Sequence, residues 1–108
     1  MAYDEALAER IRTLMPGAVE KKMFGGLVFM ERGNMTVGVY GASGDLLVRV
    51  GSDGMDAAIV RPGVRPFVMS GRPTKNFVIV SGDAVRTAAA LRRWVDTGRR
   101  YAATLPAK

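Results

Sequence analysis

Arg72 and Lys75 are the residues whose types and spacing best suit chemistry, and that chemistry is the binding of an anion. The tripeptide Gly71-Arg72-Pro73 is followed by Lys75, so two cations lie on one short segment between two predicted strands. A guanidinium can bind a phosphate or a carboxylate through two parallel hydrogen bonds. The alternative is that Arg72 pairs with an acidic neighbour or covers a sheet end, while Gly71 and Pro73 only shape the turn.

A second group of cations lies near the C-terminus. Its members are Arg86, Arg92, Arg93, Arg99 and Arg100. They could follow a phosphate backbone, with Tyr101 available for stacking on a base. Alternatively, cations near helix ends interact with the helix dipole and need no partner. The sequence lacks a helix-turn-helix signature and a ribonucleoprotein aromatic pair, so any nucleic-acid contact would be weak and non-specific.

Lys21-Lys22 and Gly25-Gly26 form a third candidate anion-binding segment. They match neither the P-loop pattern nor the dinucleotide-binding pattern, since no glycine-rich turn here opens a helix. Because the glycines lie between two predicted strands, a hairpin or a bulge is the better interpretation.

The chain carries no pattern of catalytic, metal-binding or cofactor-binding residues. It has no histidine and no cysteine, which removes the commonest general base, the commonest metal ligand and every thiol nucleophile. Its serines therefore lack a histidine to activate them. The carboxylates are scattered over predicted caps, turns and polar helix faces, and Asp53 with Asp56 supplies too few ligands for a metal. We predict that the protein is not an enzyme and uses no cofactor.

Charge and hydropathy favour one cytoplasmic domain with an anionic partner. The 108 residues carry a net charge of +6, divided as −2 over residues 1–56 and +8 over residues 57–108. This length fits a single domain, here residues 1–108. A membrane-spanning helix needs about 20 apolar residues, and no comparable stretch is present. The acidic N-terminal segment does not resemble a signal peptide.

The first half of the chain predicts one helix followed by a meander of about four strands. Asp4 can cap a helix to about Met15 whose apolar face includes Leu7 and Ile11. From residue 20 to residue 50 the apolar period becomes two. This alternation places Met35, Val37 and Val39 on one face, opposite Thr36, Gly38 and Tyr40. The glycine-containing breaks at residues 25–26, 32–34 and 41–44 are typical of short turns between antiparallel strands.

The second half predicts a short helix, two strands and a helical C-terminus. Ser52 or Asp53 caps a helix to about Val60, and strands over residues 64–69 and 77–80 flank a loop at 70–76. A longer helix opens at residues 81–83 and ends near Thr97, with Gly98 as its C-terminal cap. A last short helix covers residues 99–105. The inward stripe of the longer helix is predicted to be Ala84, Ala88, Leu91 and Val95.

These elements predict an α+β fold of two layers, with an antiparallel sheet of about six strands and the helices on one face. Trp94 is expected in the core or at its edge. Four methionines are expected to fill gaps in the core: Met23, Met30, Met35 and Met69.

Several local patterns, taken in order, resemble the N-terminal domain of the TfoX/Sxy family, the regulators of natural competence. They are Lys22-Met23-Phe24-Gly25-Gly26, Gly33-Asn34-Met35, Leu46-Leu47-Val48-Arg49, Gly71-Arg72-Pro73, Trp94-Val95 and the ending from Tyr101 to Lys108. The resemblance covers nearly the whole chain and implies a fold of the secretion-chaperone-like kind. It also implies a stand-alone N-terminal domain, without the C-terminal helical domain of the full-length regulators. The family offers no catalytic residues to carry over.

Three functions follow as hypotheses. The first is a non-enzymatic regulatory or adaptor module that acts through protein contacts, with the transcription machinery as a candidate partner. The second is a weak nucleic-acid-binding protein that uses the basic second half. The third is a small domain that binds an anionic ligand beside Arg72. An exposed sheet edge could also pair two chains into a homodimer.

Overall fold

The computed structural model describes residues 3–23 and 25–108, so Met1, Ala2 and Phe24 lie outside the described residues. In chain order the elements are α1 (Glu5–Leu14), β1 (Val19–Met23), β2 (Gly26–Glu31), β3 (Asn34–Tyr40), β4 (Asp45–Arg49), α2 (Met55–Ile59), β5 (Val64–Met69), β6 (Arg72–Val80) and α3 (Ala88–Ala102). Single 3-10 turns at Ser52–Gly54 and Gly82–Val85 lie between β4 and α2 and between β6 and α3.

The strands form one antiparallel sheet in the order β1-β2-β3-β4-β6-β5. The helices pack on one face of this sheet, and the main core lies between the two layers. The predicted α+β fold is therefore confirmed. Its strands contribute alternate side chains to this core, namely Leu27, Phe29, Val37, Val39, Leu46, Val48, Val78 and Val80. Burying a side chain of this size stabilises the fold by roughly 1.5–3 kcal/mol.

Helix α1 begins as the sequence predicts. Asp4 is the N-cap residue, and its Oδ1 accepts a hydrogen bond from the backbone N–H of Leu7 at 3.1 Å. Leu7 and Ile11 are buried in the main core. Arg12, on the same helix, donates from Nε to Glu20 on β1 at 2.8 Å, and this hydrogen bond lowers the pKa of the Glu20 carboxyl. The ion pair thus connects α1 to the edge of the sheet.

Two hairpins are closed by turns of the same kind. Arg32 and Gly33 have φ of 53° and 79°, and Ser70 and Gly71 have φ of 51° and 78°. Two successive positive φ angles are characteristic of the type I′ turn, whose twist matches that of the flanking strands. The loop predicted at residues 70–76 is therefore wrong: the connection is two residues long, and β6 begins at Arg72.

A bulge in β3 changes which side chains face the helices. Phe29 pairs with Val37, but Met30 pairs with Met35, so Thr36 has no opposite residue on β2. The extra residue shifts the alternation, and Met35 lies on the face away from Val37. The prediction that Met35 shares a face with Val37 and Val39 is wrong for this reason.

The helices of the second half differ from the prediction in their ends. No side chain caps the turn at Ser52–Gly54, and the α-helix proper starts at Met55. Near the C-terminus a 3-10 turn comes first, and Thr87 then caps α3 by accepting a hydrogen bond from Ala90 N–H at 3.1 Å.

Helix α3 continues to Ala102, so Gly98 lies within a single helix and does not end one. A Cβ on Gly98 would lie 2.7 Å from the carbonyl oxygen of Thr36, and the glycine therefore serves the close approach of α3 to β3. The helix buries Leu91, Trp94 and Val95, whereas Ala88 of the predicted stripe is exposed.

The two edge strands differ in composition from the central ones. Strand β1 carries Glu20, Lys21 and Lys22 in succession, and every residue of β1 except Met23 is exposed. Strand β5, at the opposite edge, carries Arg65 and Pro66. Charges and proline are typical of strands that end a sheet.

Candidate functional site

The sheet face opposite the helices, here called the helix-free face, carries a second apolar cluster. Its buried members are Val28, Leu47, Phe67 and Ile79, and its partly buried members are Met23, Met30, Met35, Tyr40 and Phe77. No helical residue of the described chain belongs to this cluster. The partly buried side chains surround the buried ones and present apolar surface to the outside.

Strand alternation explains how this face is built. Leu47 lies between Leu46 and Val48 on β4, and Ile79 lies between Val78 and Val80 on β6. In both strands the outer two side chains enter the main core and the middle one faces away from it. Continuous apolar runs of this kind are typical of strands that are buried on both faces.

Among the described residues, three aromatic rings lie in the part of the helix-free face nearest β5. Phe67 is buried, with its ring centroid 5.3 Å from that of Tyr40 and 6.4 Å from that of Phe77. The interplanar angles are 74° and 79°, so both contacts are edge-to-face. Such pairs add roughly 0.5–1.5 kcal/mol each beyond the area they bury. This end of the face is consequently well ordered.

Methionines form the other part of the face. Met30 and Met35 are opposite one another on β2 and β3, whereas Met23 lies at the other end of the β1–β2 pair, opposite Gly26. Methionine side chains are flexible and polarisable, and surfaces that adapt to different partners use them often. Met23, Met30 and Met35 were expected to fill gaps in the core; they are partly buried and pack against the second apolar cluster, on the helix-free face. Met69 is 42% exposed and lies in neither cluster.

An acidic group on the helix-free face is neutralised within the fold. Asp45 precedes Leu47 by two residues on β4, and its Oδ2 accepts a hydrogen bond from Arg65 at 3.1 Å. Its Oδ1 accepts a second from the Gly82 N–H at 3.0 Å. Burial alone would raise the pKa of the Asp45 carboxyl, but these hydrogen bonds outweigh it and lower the pKa. Asp45 therefore adds little negative charge to the surface.

Two cations on the helix-free face have no acidic partner among the described residues. Lys21 lies opposite Val28, and Arg49 lies two residues after Leu47 with Phe77 as its cross-strand neighbour. Neither forms an ion pair with a described carboxylate. The face thus combines an apolar centre with a net positive charge.

The hairpin candidates Arg72 and Lys75 lie on β6, near the tip of the β5–β6 hairpin. Both are exposed, and neither makes a side-chain hydrogen bond or ion pair with a described residue. Their backbone is strand, so the loop expected around them is not found.

The helical candidates lie on α3. Arg99 forms an ion pair with Glu31 at 3.1 Å and donates to the carbonyl oxygen of Leu14 at 3.3 Å. Arg92, Arg93 and Arg100 are exposed and make no such contact with described residues. Arg99 therefore connects α3 to the sheet, while the other three remain available to solvent.

A polar cleft of about 360 Å³ lies where α1 begins, between the turns at residues 43–45 and 81–86. Its charged groups are already engaged with the fold. Arg10 Nη2 donates to the carbonyl oxygen of Val85 at 2.9 Å, and Arg86 pairs with Asp83.

Trp94 is buried at the junction of α2 and α3, as expected for a core residue. The guanidinium carbon of Arg61 lies 4.1 Å from the centroid of its ring. A smaller cleft of about 200 Å³ adjoins this pair. Since the remaining lining is mostly apolar and small, the arrangement stabilises α2 against α3.

No group of three or more acidic residues within the described ranges could hold a metal ion. Among the same residues, no helix is long and apolar enough to cross a membrane.

Reasoning from the sequence missed the helix-free face, although a signal was present. The runs Leu27-Val28-Phe29-Met30 and Val78-Ile79-Val80 have no polar residue at alternate positions. A strand that rests on one layer of helices and exposes its other face to water would show such residues.

The family model described as the TfoX N-terminal domain matches residues 11–102 of the 108-residue chain. No curated protein and no solved structure matches this chain.

Proposed function

Since this chain belongs to the TfoX N-terminal domain family, we propose that it is a non-enzymatic regulatory module that binds a partner protein through its helix-free face. The proposal includes a cytoplasmic location and a single domain over residues 1–108. The TfoX N-terminal domain is not a known enzyme family. The lack of histidine and cysteine supports a binding role, because it removes the usual nucleophiles and general bases.

The observation that carries the proposal is the apolar cluster on the helix-free face. Contiguous apolar surface on a sheet, without a covering layer, is typical of a site where another protein docks. Methionine and aromatic side chains are enriched in the centres of such interfaces, and they predominate here at Met30, Met35, Tyr40 and Phe77.

Charge indicates what kind of partner this face would accept. Asp45 on this face is paired with Arg65, while Lys21 and Arg49 have no acidic partner among the described residues. A second copy of the chain would place like charges on both sides of the interface. The complementary partner is therefore a protein segment that combines apolar side chains with acidic ones.

Capture experiments with matched variants test the proposal. Met35→Lys introduces a charge on the helix-free face, and Ala89→Lys introduces the same charge at an exposed position on α3. Bait proteins carrying either substitution, together with the unaltered chain, are used to capture proteins from the native cell. We expect one protein to be retained by the unaltered chain and by the Ala89→Lys variant, and to be lost with Met35→Lys.

The captured protein is then purified and added to the chain carrying ¹³C-labelled methionine methyl groups. Shifts confined to Met23, Met30 and Met35 would support docking on the helix-free face. Retention by all three baits, or shifts that map to the helices, would contradict it. A concentration-dependent dimer that uses the same methionines would show that the occupant is a second copy.

A second candidate function is weak binding of nucleic acid, and it is favoured by exposed cations without partners. They include Arg72, Lys75, Arg92, Arg93 and Arg100. Since they lie on two separate elements, they support non-specific contact with phosphates. Such binding would weaken steeply as salt is raised from 50 to 200 mM. Affinity for a duplex that does not change with salt would dispose of this candidate.

A further inference from the structure

We propose that Arg49 binds a carboxylate of the partner segment that docks on the helix-free face. This inference rests on the proposed function and adds to it the chemistry that the partner must present. It arises from the environment of one side chain.

The guanidinium of Arg49 is only partly satisfied within the fold. Nη1 donates to the carbonyl oxygen of Met35 at 3.3 Å, whereas Nε is buried and has no hydrogen-bond acceptor. Nη2 makes no hydrogen bond with a described residue and is not among the buried atoms. No described carboxylate lies within ion-pair distance. One edge of the planar guanidinium, formed by the N–H groups of Nε and Nη2, is therefore left without a hydrogen-bond acceptor.

Neighbouring groups hold the guanidinium in place. Its central carbon lies 5.5 Å from the ring centroid of Phe77 and 5.7 Å from that of Tyr101. Tyr101 in turn lies against the backbone of Gly51, where a Cβ would come within 2.4 Å of the ring. A cation fixed between two rings loses little freedom when an anion binds to it.

The two rings do not replace an anion. A cation–π contact supplies about 0.5–1 kcal/mol when exposed, less than the cost of leaving a buried donor of a charged group unpaired. A carboxylate bound at the accessible Nη2 would accept both free N–H groups once the side chains that cover Nε move aside. This bidentate contact is the geometry that arginine forms best.

The surroundings favour a peptide carboxylate over the phosphates of a nucleic acid. Arg49 contacts the backbone of Met35 and the rings of Phe77 and Tyr101, and no second cation lies beside it on β4. Proteins that follow a phosphate backbone use several cations in a row. A single cation within an apolar cluster instead matches an Asp or Glu side chain with a bulky apolar residue next to it.

A matched pair of small peptides tests this assignment. N-acetyl-leucyl-glutamic acid amide and its glutamine counterpart differ only in the carboxylate. Each is titrated into the full chain, labelled with ¹⁵N and with ¹³C in the methionine methyl groups. We expect the glutamate peptide to shift the Arg49 Nε–H and the methyl groups of Met30 and Met35, and to bind about tenfold more tightly than the glutamine peptide.

Variants assign the preference to Arg49. Arg49→Gln is expected to abolish the difference between the two peptides, and Arg49→Lys to reduce it, since lysine keeps the charge but lacks the planar guanidinium. Arg92→Gln removes the same charge from α3 and should leave the difference unchanged. The Nε–H signal of the unaltered chain reports directly on the contact, so the test holds even if an Arg49 variant folds poorly.

The outcomes separate this inference from the proposed function. Equal affinity of both peptides, with methionine shifts, would overturn the role of Arg49 and leave the docking face in place. A shift of the Arg49 Nε–H without methionine shifts would support the carboxylate contact and contradict the docking face. No shift at all with either peptide would overturn the carboxylate contact and argue against docking of apolar side chains on this face.

Discussion

Gly98 of α3 faces the carbonyl oxygen of Thr36 on β3 at a distance that leaves no room for a side chain. A Cβ at residue 98 would lie 2.7 Å from that oxygen and 2.9 Å from Cγ1 of Val37. The bulge that leaves Thr36 without an opposite residue on β2 thus coincides with the point where the helix comes closest to the sheet.

We expect Gly98→Ala to destabilise the protein. Alanine would favour the helix by about 1 kcal/mol, but the steric overlap with backbone atoms should cost more, for a net loss of about 1–2 kcal/mol. Urea unfolding measures the difference. Gly17→Ala is the control, because a Cβ there meets nothing within 4 Å, and its effect should stay within about 0.5 kcal/mol. A Gly98→Ala variant as stable as the control would contradict the close packing of α3 on β3.

The two type I′ turns allow a comparison between identical substitutions. Gly33→Ala and Gly71→Ala each place alanine at a φ near 79° or 78°, which should cost about 1 kcal/mol from the backbone alone. At Gly71 the added Cβ meets nothing within 4 Å, whereas at Gly33 it would lie 2.8 Å from Lys108. We therefore expect Gly33→Ala to lower the melting temperature further than Gly71→Ala. Equal losses would mean that Lys108 moves away without cost.

Arg61 is expected to shield Trp94 from solvent. The guanidinium lies 4.1 Å from the ring, and a contact of this kind is worth about 0.5–1 kcal/mol. Trp94 is the single tryptophan of the chain, so its fluorescence reports on this site alone. Arg61→Gln should increase quenching by acrylamide, and Arg61→Lys should do so to a smaller extent. Unchanged quenching in Arg61→Gln would show that the stacking does not persist in solution.

Asp45 should contribute stability that depends on pH in a defined direction. Burial would raise the pKa of its carboxyl, but the hydrogen bonds from Gly82 and Arg65 lower it below the unfolded value. A group of this kind stabilises the fold fully above its unfolded pKa, and the contribution disappears as pH falls through the folded pKa.

The difference in unfolding free energy between the unaltered chain and Asp45→Asn should therefore be constant near neutral pH and shrink below about pH 4. Urea titrations at several pH values measure it. Asp53→Asn, at an exposed position without a side-chain contact to described residues, serves as the control. A difference that grows on acidification would have the wrong sign for the proposed contacts.

The elements that local signals determine were predictable from the sequence. Asp4 caps α1, and the glycine-containing breaks at residues 32–34 and 41–44 separate strands, because these residue types satisfy backbone requirements within a few positions. The antiparallel meander from β1 to β4 followed from the short turns. The burial of Trp94 was predictable because a large aromatic side chain favours the core.

What escaped prediction depends on contacts between distant segments. Gly98 has the type expected at a helix end, and only the carbonyl of Thr36 explains why it lies inside α3. The bulge at Thr36 moves Met35 to the other face of the sheet. A period-two pattern in the sequence gives no sign of such a bulge. In the sequence Arg49 is a single arginine at the end of an apolar strand. The two aromatic rings that contact its guanidinium belong to distant residues, Phe77 and Tyr101, so the sequence does not reveal its environment.

The compositions of the outermost strands restrict how two molecules of this protein can associate. Adding a strand to β1 would align the new backbone with Glu20, Lys21 and Lys22, and adding one to β5 would meet Arg65 and a proline that lacks an N–H. Edge-to-edge pairing of the sheets of two molecules is therefore disfavoured at both β1 and β5. Crowded solutions of the protein should accordingly resist fibril formation.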